Sequence, residues 1–394
     1  MKTGMRPCAR FLLLLAGSAI PVLPASAGDP ASAAAKSPSA ALQPFVDAGP
    51  LAGAVTLVAD KDKVLSLEAI GFADIAAKKP MKTDALFWIA SQSKPITAAA
   101  LMMLVDEDKV KLDDPVERHL PEFKNLWLAV EQDKEHILLK KAKRPITVRD
   151  ILSHTSGMPF KSALEEPTLD ALPLRDAVRS YAMTPLQFEP GSKYQYSNAG
   201  INTAGRIIEV VSGISYETFL DKRLLGPLGM KDTTFWPSEE QLSRLASAYK
   251  PNAAKTGLEA TTISQLQYPL SDRKRQPMPA GGLFSTANDV ARFCQLMLNG
   301  GVFDGKRLLS EEAVKQMTTK QTGDAVKESY GLGWSTGDGT FGHGGAFATN
   351  MNVNTKRGLI TVFLVQHAGF PGDGDKSLAA FQKAAEEGFG SPRK

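Results

Sequence analysis

The pattern of apolar and polar positions changes period several times along this chain, and each change marks an element. An apolar run from Phe11 to Ile20 follows Lys2, Arg6 and Arg10 and precedes the small residues Ala25-Ser26-Ala27. That order predicts a secretory signal over residues 1–27, because the run is shorter than the roughly 20 apolar residues that span a bilayer. Residues 28–41, rich in Ala, Ser and Pro, read as a flexible leader. The folded domain is expected over residues 42–390.

Gly53 to Ala59 and Lys63 to Gly71 are β-rich runs on either side of Asp60-Lys61-Asp62, which predicts a hairpin. From Leu86 the chain turns apolar on nearly every side. Leu86 to Ala90 lead towards Ala98 to Val105, a run of helix formers that reads as a buried helix. Pro95 has no N–H and its ring clashes with the carbonyl four residues back, so it belongs to the first turn and the helix starts close to Ser91. Leu112-Asp113-Asp114-Pro115-Val116 is turn chemistry, Ile137 to Lys140 a small exposed strand, and Thr147 the cap of a short helix ending at Leu152. Tyr194 to Asn198 alternates briefly before a helix over Ala199 to Ser212, and helical spacing returns at Tyr216 to Leu225 and Asn288 to Leu298. After Ser329 the period shortens to two. Tyr330 to Ser335, Phe341 to Val353 and Leu359 to Gln366 read as strands, with a turn at Asn354 to Gly358. Ser377 to Phe389 closes the chain as a helix that sets Leu378, Phe381 and Ala385 against a sheet.

Composition narrows the class. The 394 residues are enough for a large core, and their balance of apolar and charged types is that of a globular protein. Loss of Lys2, Arg6 and Arg10 with the signal lowers the formal charge from +4 to +1, which gives no reason to expect a nucleic-acid partner or a membrane one. Lys140-Lys141-Ala142-Lys143-Arg144 then reads as a solvated face. Cys8 leaves with the signal and Cys294 lies among Val290, Phe293, Leu296 and Met297, so the mature chain is expected to carry no internal disulfide. The five histidines show no zinc-ligand spacing, and neither a metal nor an organic cofactor is expected.

Chemistry concentrates at Ser91-Gln92-Ser93-Lys94. Residues three apart on a helix are neighbours, so the Ser91 hydroxyl and the Lys94 amine can meet and form an activated nucleophile. The lysine must then shed its proton near neutral pH, about 3 units below its reference value, and burial at the positive end of a helix pushes that way. Spacing alone leaves another reading open, with Ser91 as a cap and Lys94 in solvent, because Ser-x-x-Lys recurs at Ser247, Ser271 and Ser391. Tyr196 and Asn198, two apart, face one side, or serve as a core strand residue and a helix cap. His154, in a loop with Ser, Thr and Gly, reads as a hydrogen-bonded structural residue. Gly333-Trp334-Ser335-Thr336-Gly337 matches the nucleophile elbow, but Asp338-Gly339-Thr340 cannot begin the helix that motif needs. In His343-Gly344-Gly345-Ala346 the glycines let another backbone or a ligand come close.

Ser91-x-x-Lys94, Tyr196-x-Asn198 and His343-x-Gly345 resemble, in order and rough spacing, the motifs of the β-lactamase-related serine hydrolases. These comprise class C β-lactamases, D-alanyl-D-alanine carboxypeptidases, D-aminopeptidases and β-lactamase-like esterases. Leu112 to Val116, Leu152 to Gly157 and Gly281-Gly282-Leu283-Phe284-Ser285-Thr286 are similar to that family too, so the likeness spans roughly 42–389. The resemblance implies an α/β (α+β) fold, with a mixed antiparallel sheet flanked by helices over about 42–120 and 285–390. A mostly helical second part would occupy about 121–284, with the site between the two. It implies Ser91 as nucleophile, Lys94 as its activator, Tyr196 as general base then acid, and Asn198 as the holder of the substrate amide or carbonyl. His343, Gly344, Gly345 and Ala346 would line the substrate, with the N–H groups of Ser91 and Ala346 as oxyanion donors. Where many β-lactamases have Lys-Thr-Gly, this chain has His343-Gly344-Gly345, which offers a substrate carboxylate no fixed positive charge. His367-x-Gly369 is a rival match after the last strand. The expectation is an exported, periplasmic or secreted, hydrolase acting on a small-molecule ester, a D-amino-acid peptide or a β-lactam. The alternatives are a class C-like β-lactamase and a non-catalytic sensor of penicillin or cell-wall peptides.

Overall fold

A computed structural model of the chain describes Met1 and residues 37–390. Apart from Met1, the predicted signal falls outside the described residues, as do Cys8 and most of the predicted leader. The described fold begins a little before Leu42, since Pro38–Leu42 forms a 3-10 turn in which Pro38, Ser39 and Leu42 are buried.

Seven strands form one antiparallel sheet. They are β1 (Gly53–Ala59), β2 (Val64–Asp74), β3 (Lys79–Pro80), β4 (Ser335–Gly337), β5 (Thr340–Gly344), β6 (Asn350–Asn354) and β7 (Leu359–Leu364), in spatial order β4-β5-β6-β7-β1-β2-β3. The first strand therefore pairs with the last, Val55 opposite Leu364 and Leu57 opposite Val362. Alternation along β1 divides its side chains between two layers. Val55 and Leu57 join the main core, with Ile360, Val362, Phe293 and Met297, while Ala54 and Val58 join Phe363, Phe381 and Ala385 under the closing helix. Because β1 is covered on both faces, all seven of its residues are buried.

The helices that matter for the site are α1 (Ser93–Asp106), α2 (Val148–Leu152), α3 (Leu174–Met183), α4 (Asn198–Ser212), α5 (Ala287–Leu298) and α6 (Ser377–Phe389). Helix α1 is buried from Ser93 to Leu104, as its all-round apolar sequence requires. Thr147 caps α2 through a reciprocal box with Asp150. Helix α4 packs on α1, α2 and α3, and α5 packs on β1, β6 and β7.

Several elements differ from the sequence expectation. Phe341 to Val353 is two strands, β5 and β6, joined by a turn in which the Ala348 N–H donates to the Gly345 carbonyl at 3.0 Å. Tyr330 to Trp334 is a loop that ends in β4; a Cβ at Gly331 would lie 2.0 Å from the Met317 carbonyl oxygen. Tyr194 to Ser197 forms no ladder, and the cap of α4 is Ser197, whose hydroxyl accepts from the Gly200 N–H, not Asn198. The exposed strand is Ile137–Lys141, and its partner Trp127–Gln132 has no clear signal in the pattern.

Candidate active site

The turn before α1 is strained and tightly held. Ala90 has φ of +47°, a left-handed conformation that costs a non-glycine residue roughly 1–2 kcal/mol. Neighbours hold it there. The Ser93 hydroxyl donates to the Ala90 carbonyl at 2.7 Å and accepts from the Leu283 N–H at 3.2 Å, while the Ile89 N–H donates to the Leu283 carbonyl at 3.0 Å. Ser91 emerges from this turn with its side chain free of capping duty, so the reading of Ser91 as a helix cap does not hold.

Lys94 is 0% exposed, so the reading of it as a solvated residue fails as well. Its Nζ lies 3.1 Å from Ser91 Oγ, 2.7 Å from the Ala280 carbonyl oxygen and 4.6 Å from the centre of the Tyr196 ring. Burial pushes its pKa well below the ordinary lysine value. The result is an amine disposed to accept a proton, one turn from a hydroxyl.

Tyr196 faces the same hydroxyl. Burial raises its pKa, and the neighbouring Ser91 hydroxyl offsets part of the rise. Behind it sits His154, buried, at φ of +61°, its ring 4.5 Å from that of Tyr196. His154 Nδ1 accepts from the Ser197 N–H at 3.2 Å, which ties the loop carrying Tyr196 to the loop after α2. Burial first, then the nearby Lys94 and His343, hold His154 well below the usual histidine pKa.

The opposite wall is the β5–β6 turn. A Cβ on Gly345 would lie 2.6 Å from the Ile89 carbonyl oxygen and 2.2 Å from Thr349 Oγ1, so only glycine lets this edge approach the turn that carries Ser91. His343 lies deeper. Its Nδ1 donates to the Gly344 carbonyl at 2.7 Å, leaving Nε2 to accept from the Tyr330 hydroxyl at 2.9 Å. Burial, with Lys94 adding to it, lowers its pKa to about 3, so the ring is neutral at physiological pH.

Between these walls lies a hollow of about 320 Å³, lined among others by Ser91, Tyr196, Asn198, Gly344, Gly345 and Ala346. Trp88, Phe160, Leu169 and Met278 give it an apolar side. The fold thus gathers the sequence-predicted residues, with Lys94 and His343 standing behind the lining instead of in it. Asn198 is 4% exposed and its Oδ1 has no partner among the described residues. A larger hollow of about 810 Å³ at Lys61, Arg292 and Arg307 has no hydroxyl or thiol side chain in its lining. Ser335 lies on β4, followed by β5 and not by a helix, as its rejection required. His367 is buried, and its Nε2 accepts from the Ala52 N–H at 3.2 Å, away from the hollow's lining. Sequence reasoning missed Ala280, Trp88, Phe160 and Met278; Gly281-Gly282 beside Ala280 was the one available sign of close backbone contact.

A sequence model of the family described as Beta-lactamase matches residues 39–385. The chain belongs to the Beta-lactamase family. Among relatives in this family, an uncharacterized protein of Mycobacterium tuberculosis is 33% identical over 370 residues, covering 83% of this chain and 89% of the relative. Esterase EstB of Burkholderia gladioli is 30% identical over 311 residues, covering 73% and 74%. Among solved structures, EstCE1, described as a hydrolase with promiscuous acyltransferase activity, superposes with a TM-score of 0.74 at 25% identity, covering 89% of this chain and 98% of that one. The chain is therefore an enzyme of the serine hydrolase kind found in the Beta-lactamase family, with its antiparallel sheet and flanking helices.

Proposed function

We propose that the protein is an exported serine hydrolase that cleaves carboxylic esters with an uncharged, apolar acyl group through an acyl-enzyme on Ser91. The observation that carries this reading is the buried Lys94 amine 3.1 Å from Ser91 Oγ. Lys94 takes the hydroxyl proton as Ser91 Oγ attacks the carbonyl carbon. The N–H groups of Ser91 and Ala346 receive the oxyanion, and Tyr196 passes a proton to the departing alkoxide. Water, giving its proton to the same pair, then releases the acid and restores Ser91. A missing oxyanion donor typically costs about 3 kcal/mol of barrier. The apolar side of the hollow, Trp88, Phe160, Leu169 and Met278, supports an apolar acyl group. The neutral His343 offers no charge to a β-lactam carboxylate.

A second reading, cleavage of small D-amino-acid peptides, draws on the unpartnered Asn198 Oδ1, an acceptor suited to a substrate N–H that an ester lacks. Purified protein is assayed with p-nitrophenyl esters, D-alanyl peptides and nitrocefin, beside Ser91→Ala. Ester turnover lost in Ser91→Ala supports the first reading, and turnover that survives the substitution refutes it. Faster turnover of the D-alanyl peptides favours the second reading, and nitrocefin hydrolysis favours a β-lactamase. A stable Ser91 adduct without turnover makes the protein a sensor. Export rests on the basic, apolar and small-residue order of residues 1–27, and N-terminal sequencing of the protein recovered outside the cytoplasm tests it.

A further inference from the structure

Behind Lys94 a line of buried polar groups runs away from the hollow, and the mechanism above makes no use of it. Lys94 Nζ donates to the Ala280 carbonyl at 2.7 Å, and the N–H of the same residue donates to Asn202 Oδ1 at 3.0 Å. Asn202 Nδ2 donates to the Tyr181 hydroxyl at 2.9 Å, which donates to Glu165 Oε1 at 2.6 Å. The other carboxylate oxygen of Glu165 accepts from the Ser162 N–H at 2.8 Å. Glu165, Tyr181, Asn202, Ala280 and Lys94 are each no more than 2% exposed.

Donor and acceptor counts give the line a direction. An ionised carboxylate only accepts, so Tyr181 must spend its single proton on Glu165 and accept from Asn202. The Asn202 amide is then oriented with its oxygen towards the Ala280 N–H. The neighbouring carbonyl, Pro279, is held from α1 by Thr97 Oγ1 at 2.8 Å, and that hydroxyl in turn meets the Tyr216 hydroxyl at 2.7 Å. The peptide unit just before the Ala280 carbonyl, Lys94's second acceptor, is thus pinned at both its oxygen and its N–H.

We propose that Glu165, Tyr181 and Asn202 are positioning residues that hold the Ala280 carbonyl so that the Lys94 amine rests between it and the Ser91 hydroxyl. The inference rests on the reading of Ser91 as nucleophile and Lys94 as base. The titratable groups facing Lys94 are Tyr196, His154 and His343, and those facing Glu165 are Tyr181 and Lys161; only Tyr181 among them is altered in the test.

The test compares Tyr181→Phe, Glu165→Leu and Glu165→Gln with the wild type. Ester turnover is measured across pH and normalised to the fraction of Ser91 that a fluorophosphonate labels, and folding is followed by thermal melting. Tyr181→Phe and Glu165→Leu should lower kcat about tenfold with KM within about twofold, since a misplaced base costs rate and not binding. Their acid limb should move about half a pH unit lower, because a loosened carbonyl no longer favours the ammonium form of Lys94. Glu165→Gln, which keeps an acceptor for Tyr181, should recover most of the rate. A network that only stabilises the fold would lower the melting temperature and leave the rate per labelled site and the acid limb unchanged; that result overturns the proposal. Glu165→Leu carries the test should Tyr181→Phe not fold. Failure of the wild type to label at Ser91 overturns the nucleophile reading together with this one, whereas labelled wild type with unshifted variants overturns the relay alone.

Discussion

Two stretches of this chain share the Ser-x-x-Lys spacing and end in opposite surroundings. Lys94 is fully buried and meets a hydroxyl and a carbonyl. Lys250 is exposed on a short strand, 3.1 Å from the Glu259 carboxylate, and Ser247 donates its proton to Asp74 Oδ2 at 2.8 Å. One lysine is desolvated without a counter-charge and the other belongs to a surface ion pair. Three-residue spacing brings hydroxyl and amine together on the helical turn at Ser91 but not on the strand that carries Lys250, and removal from water then makes the amine a base.

Replacing Lys94 sharpens the contrast most. Lys94→Met should reduce kcat/KM for a p-nitrophenyl ester by about a thousandfold or more, the upper range for loss of a general base. The same variant should melt higher than the wild type at neutral pH. Between the depressed folded pKa and the ordinary 10.5, the unfolded chain holds a proton that the folded chain has lost, so folding is penalised there and gains as pH rises. Removing the amine removes the penalty, worth about 1–3 kcal/mol after the lost contact to Ala280 is counted. Melting curves at pH 7 check it.

Tyr196→Phe comes next, with kcat about a hundredfold lower and the fold intact, because the ring keeps its place over His154 while the proton carrier is gone. Third is acid stability. His343 and His367 have folded pKa values of about 3 and about 4 against an ordinary 6.5, so their contribution is complete above 6.5 and falls away as pH drops towards those values. Melting temperature should fall between pH 7 and pH 4.5, and His343→Gln should flatten part of that slope. The smallest effect belongs to Ser247→Ala and Lys250→Ala, where turnover should stay within about twofold, as for other exposed ion pairs.

How much of this was legible depends on how local each signal is. Helix α1, strands β1 and β7 and the closing helix follow from periodicity, and Ser91 with Lys94 from spacing plus an apolar neighbourhood. The β5–β6 turn stayed hidden because Ala348, a non-glycine at φ of +61°, takes a turning position that its type does not announce. Ala280 and Asn202 meet only after the chain folds, 78 positions apart, and no pattern within either segment marks the encounter. His154 was readable as structural, while its place behind Tyr196 depends on the loop after α2 meeting the loop before α4. The nucleus of the site was local, and its supports were not.

The pairing of β1 with β7 has a consequence for synthesis. A ribosome that has released the Ser91 helix has not yet made the strand that pairs with β1 or helices α5 and α6 that pack on its faces, so the apolar residues of β1 wait for almost the whole polypeptide before they are fully shielded. A premature stop shortly before Leu359 would take out an interior strand of the sheet, together with its neighbour helix α6, and not an ornamental edge. Late truncations should therefore be as damaging to this enzyme as early ones.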